Sequence, residues 1–135
     1  MIEERITAFG ERLREVFGED LARTGWKLKK YGRVGTNDNP LDQGYFIFQR
    51  DDNSGEATFN YDLKSSLTAV LLKLVSEGAE QRYGQLAMNA LFSRDPGMAG
   101  NCNDDTLSKL SEKESALFKR VLHYFNLKAP ENIYE

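Results

Sequence analysis

Cysteine and histidine are nearly absent: the 135 residues hold one of each, Cys102 and His123. A lone cysteine cannot form an internal disulfide, and one Cys with one His falls short of the ligand set of a zinc site. Nucleophilic catalysis would need Cys102 and His123 to meet across the fold, and no residue to orient them is identifiable. His123 is expected as a partly buried residue beside the apolar stripe of the last helix. Long apolar runs are missing as well. None exceeds four residues, Ala69–Leu72 being one, against the roughly 20 that cross a bilayer. The opening MIEER is polar and is no secretory core. The chain contains no GxGxxG and no GxxxxGK, so it lacks the glycine loops that cradle nucleotides. A net charge of −3 with 29% charged residues fits neither disorder nor a general polyanion binder. Together these absences predict a cytoplasmic protein without cofactor or membrane association, one domain spanning 1–135, monomeric or homodimeric.

Aromatic residues are plentiful, with 8 Phe, 6 Tyr and 1 Trp. Ile2, Ile6, Phe9, Leu13, Val16 and Phe17 recur at spacings of three and four and predict an amphipathic first helix. Gly18 is expected to end it, with a short turn through Leu21 before Gly25. Trp26–Val34 begins with alternation of Trp26 and Leu28 against Lys27 and Lys29, a strand with one wet face. Gly35–Gly44 reads as a long loop. Tyr45–Arg50 and Glu56–Tyr61 flank the turn residues DDNSG and predict a hairpin with aromatic pairing over a core.

The most apolar stretch is Asp62–Glu77. At 100° per residue, Leu63, Leu67, Val70, Leu71, Leu74 and Val75 form one stripe, with Leu72 on nearly the opposite side. The expectation is a central helix, capped by Asp62 and closed by Gly78. A further helix is expected over Ala79–Arg94, stopped by Asp95-Pro96-Gly97, and then a polar loop over Met98–Leu110. Ser111 and Glu114 form a capping box, opening a helix that buries Leu117, Phe118, Val121, Leu122 and Phe125. Pro130 and the tail after it are expected to lie beyond that helix and to fray. The expected fold class is α+β: a three-stranded antiparallel meander packed by about four helices, in the order α-β-β-β-α-α-α.

No residue set qualifies as catalytic. Asn101–Glu112 places Asn101, Asn103, Asp105 and Glu112 at calcium-loop positions, but lacks the first carboxylate and has Thr106 where glycine is needed. Asp62-Leu63-Lys64, with Asp51 or Asp52 upstream, matches the tail of a metal-dependent nuclease pattern. Gly32-Arg33-Val34-Gly35 has the letters of a KH-type loop but follows a strand.

Two surfaces remain. Acidic loop residues Asp38, Asp42, Asp104 and Asp105 suit a basic protein partner reached by electrostatic steering. That reading makes the protein a small binding or inhibitory protein acting through a protein–protein interface. Immunity proteins, antitoxins and phage-encoded inhibitors share this character, in type and not in motif. The alternative is a nucleic-acid-binding module on strand 26–33, where Lys27, Lys29, Lys30 and Arg33 stand among Trp26 and Tyr31. A metal-dependent nuclease is the third reading.

Overall fold

A computed structural model describes residues 2–35, 40–62, 67–76, 79–83 and 110–133. Among them are two helices, α1 (Ile2–Thr24) and α2 (Glu112–Asn132), and five strands. These are β1 (Trp26–Gly35), β2 (Pro40–Arg50), β3 (Gly55–Asp62), β4 (Leu67–Ser76) and β5 (Ala79–Tyr83). The sheet is an antiparallel meander in the order β1-β2-β3-β4-β5. The class is therefore α+β, with five strands where three were expected and two helices among the described residues.

Helix α1 runs through Gly18 without a break. It closes at Gly25, whose φ of 78° opens the left-handed conformation that glycine adopts freely. Ile6, Phe9, Leu13, Phe17 and Leu21 are its buried stripe. The expected hairpin forms, with Phe46 opposite Phe59 and Phe48 opposite Ala57. Its turn places Asn53 at a φ of 63°. Strand β2 starts at Pro40, so the Gly35–Gly44 loop is shorter than its composition suggested.

The expected central helix is a correction. Its described part is β4, paired with β3 from Gly55↔Leu74 to Asp62↔Leu67. Val70, Leu72 and Leu74 are buried and Leu71 and Val75 are exposed, which is alternation of period two. Leu72, the residue a helical stripe left out, is fully buried. Apolar residues on both faces of a strand mimic a broad helical stripe, and pairing with β3 decides between them. Asp62 ends β3, opposite Leu67 of β4. Residues 79–83 of the expected second helix form β5 against β4, and the remainder of that helix lies outside the described residues.

The capping box of α2 forms as expected. Glu114 N–H donates to Ser111 Oγ and Ser111 N–H to Glu114 Oε1, both at 3.1 Å. Pro130, however, lies inside the helix, near its end. The proline removes one backbone donor, and buried Ala129 and Ile133 hold the last turn to the core. Ile133 N–H donates to Ala129 at 2.9 Å.

Both helices pack on one face of the sheet, α1 along β1 and α2 beside it. The rings of Phe9 and Phe125 lie 5.2 Å apart, Phe46 and Phe125 5.0 Å, and Phe59 and Phe125 5.3 Å. Edge-to-face and offset aromatic packing of this kind adds to area burial.

Candidate interaction surface

Strand β1 does not present its cations and aromatics on one face. Leu28 pairs with Phe48 and Lys30 with Ile47, so Lys29 is an extra residue in a bulge. Before the bulge Trp26 and Leu28 face the helices and Lys27 faces away. After it the alternation is inverted: Tyr31 and Arg33 face the helices and Lys30 faces away.

Trp26 is 1% exposed, edge-on to Phe118 at 4.7 Å. Tyr31 lies against α1 at Gly10, where a Cβ would come within 2.5 Å of the ring. The Arg14 guanidinium sits 4.9 Å from the Tyr31 ring centroid and also donates to the Leu28 carbonyl at 3.0 Å. Arg33 donates to Glu3 at 2.8 Å, a hydrogen bond that holds the Glu3 carboxyl below its ordinary range. The expected basic and aromatic strand is thus divided. Lys27, Lys29 and Lys30 are exposed, while the rings of Trp26 and Tyr31 serve the helix side and offer no stacking platform.

The Trp26 end of the sheet is fastened by a polar knot. Its indole N–H donates to Glu114 Oε2. Arg50 grips the same carboxylate with Nε to Oε2 at 2.9 Å and Nη2 to Oε1 at 3.1 Å. Burial pushes the Glu114 carboxyl up, but the hydrogen bonds from Arg50, Trp26 and Ser111 outweigh it and leave its pKa lowered. Every donor here comes from the fold itself, so the knot reads as structural.

The opposite face of the sheet carries the candidate surface. Lys27, Lys30, Tyr45, Ile47, Glu56, Thr58, Leu71, Lys73 and Val75 alternate with the buried residues of their strands. The register aligns Lys30, Ile47, Thr58 and Leu71 in one row. Leu71 is 39% and Val75 36% exposed, and Tyr45 and Ile47 are half-buried. Lys30 Nζ lies 5.9 Å above the Tyr45 ring. Lys73 sits between Glu56 at 3.8 Å and Glu80 at 3.7 Å. Sequence reasoning missed Ile47 and Leu71. The signal was the alternation through 68–75, which a helical reading of β4 obscured.

Asp38, Asp104 and Asp105 lie outside the described residues, as do Cys102 and Lys64, and Asp42 falls in the first part of β2. Asp52 accepts from the Ser54 hydroxyl at 2.5 Å and its N–H at 2.9 Å, and these bonds lower its pKa. His123 is exposed, not partly buried as expected. Among the described residues no three His, Cys, Asp or Glu side chains cluster as metal ligands. No described helix is long and apolar enough to cross a membrane. No family model matches the chain, and none of the curated proteins or solved structures matches it significantly.

Proposed function

We propose that the protein is a small binding protein, of the immunity, antitoxin or inhibitor type, and that it engages a protein partner through the face of its sheet that neither described helix covers. The observation that carries this reading is the row Ile47, Thr58 and Leu71, with Tyr45 and Val75 beside it. Both described helices lie on the other side, so neither of them buries these side chains. Apolar residues collected on one face, with charges at its borders, have the make-up of an interface core and rim. The acidic residues Asp38, Asp104 and Asp105, with Asp42 of β2, remain part of the proposal as a steering surface.

Site-specific photo-crosslinking in native cells tests it. A crosslinking residue at Leu71 is expected to capture one protein in stoichiometric yield. The same residue at Val16, exposed on α1, is the control and is expected to capture none. Equal capture from both positions, or none from Leu71, removes the open-face reading.

A further inference from the structure

The borders of the open face differ in charge. At the β4–β5 border Lys73 is matched by Glu56 and Glu80. At the β1 border Lys27, Lys29 and Lys30 are exposed, and among the described residues none has a carboxylate within ion-pair distance. Elsewhere Arg23, Arg33, Arg50, Arg120 and Lys128 have acidic partners, while Arg12, Lys113 and Lys119 on the helices have none among the described residues. In a chain of net charge −3, three cations without an acidic partner among the described residues, side by side next to an apolar row, give that face a positive border.

Resting on the binding reading above, we infer that the open face receives an amphipathic helix of the partner protein, acidic along the flank that meets β1. The helix runs along the strands, centred over β3, so that its apolar face crosses the row Ile47, Thr58 and Leu71 and its carboxylates reach Lys27, Lys29 and Lys30 on β1. The eight residues of β3 span about 26 Å at about 3.3 Å per residue, a length that a helix of about 17 residues matches. Strand addition at β1 is disfavoured, because the bulge, the lysines and the Arg14 contact to the Leu28 carbonyl all guard that edge. Single-stranded nucleic acid is disfavoured because Trp26 and Tyr31 face the helices and Lys30 covers Tyr45, leaving cations over an aliphatic row without rings for stacking.

Fluorescence anisotropy with the full chain and two labelled helical peptides of about 17 residues tests the inference. The peptides share a leucine stripe and differ only in having Glu or Lys on one flank. The Glu-flanked peptide is expected to bind about tenfold more tightly, an advantage that falls with added salt. Lys27→Glu with Lys30→Glu is expected to abolish or reverse that preference, and Lys29→Glu alone to reduce it. Leu71→Asp is expected to weaken both peptides. Equal affinity for the two peptides, no binding of either, or a preference unchanged in the double variant would overturn the inference. So would a labelled single-stranded oligonucleotide that binds more tightly than the Glu-flanked peptide and is released by the double variant. A partner captured from Leu71 that presents no acidic helix defeats this inference alone. Failure of capture from Leu71 defeats the binding reading itself.

Discussion

The two faces of the sheet follow the same alternation along the same strands and hold opposite kinds of surface. Toward the helices, Phe46, Phe48, Phe59, Tyr61 and Leu72 are fully buried in a network of rings. Away from them, Tyr45, Ile47, Thr58, Leu71 and Val75 are partly exposed and bordered by lysines. Strand β4 shows the contrast within one segment: Val70, Leu72 and Leu74 point into the core, and Leu71, Lys73 and Val75 point out. On the proposed reading, stability and recognition fall to alternate residues. A substitution on one face should move one property and spare the other.

The largest separation is expected between Phe125 and Leu71. Phe125→Ala removes a ring packed on Phe9, Phe46 and Phe59, and should cost about 3–5 kcal/mol in urea denaturation. Leu71→Ala, at a site already 39% exposed, should cost less than about 1 kcal/mol. Similar losses at the two positions would erase the distinction between the faces.

Next in size is the polar knot that ties the helix layer to the sheet. Glu114→Gln leaves the Arg50 guanidinium without its carboxylate, and should cost about 3 kcal/mol. The fold lowers the pKa of Glu114 from its ordinary 4.5, so the folded state takes up that proton less readily than the unfolded chain. This contribution is complete above the ordinary carboxylate range and is lost as pH falls through the lower folded value. The Gln variant should flatten the fall in unfolding midpoint as pH drops below the ordinary carboxylate range. A slope identical to that of the unaltered protein would mean that other carboxylates control acid unfolding.

The smallest effect compares two glycines of α1. At Gly18 a Cβ meets nothing within 4 Å, so Gly18→Ala should gain about 0.5–1 kcal/mol from helix propensity. At Gly10 the Cβ would press on the Tyr31 ring, and Gly10→Ala should instead lose about 1–3 kcal/mol. Equal signs in urea denaturation would show that Tyr31 is not wedged between α1 and β2.

Much of the helix layer was legible in the sequence, because the spacing of Phe9, Leu13 and Phe17 and the Ser111–Glu114 pair are local signals. The β2–β3 hairpin was legible for the same reason, since its turn residues and aromatic runs are contiguous. Strand β4 was not, because its apolar residues occupy both faces and only the register against β3 separates them. The exposed side chains of Lys27 and Lys29 were readable from alternation, as was the burial of Trp26. The inward placement of Tyr31 and Arg33 was not, because one extra residue at Lys29 inverts the alternation after it. The row Ile47, Thr58 and Leu71 joins three strands, so no local pattern contains it.

The most direct test combines affinity and stability in one variant, Leu71→Asp. The complex to measure is the one formed with the protein captured by crosslinking from Leu71. The variant is expected to weaken it by about tenfold or more, with an unfolding free energy within about 1 kcal/mol of the unaltered protein. A loss of several kcal/mol in stability with affinity unchanged would contradict the account and place Leu71 in the core.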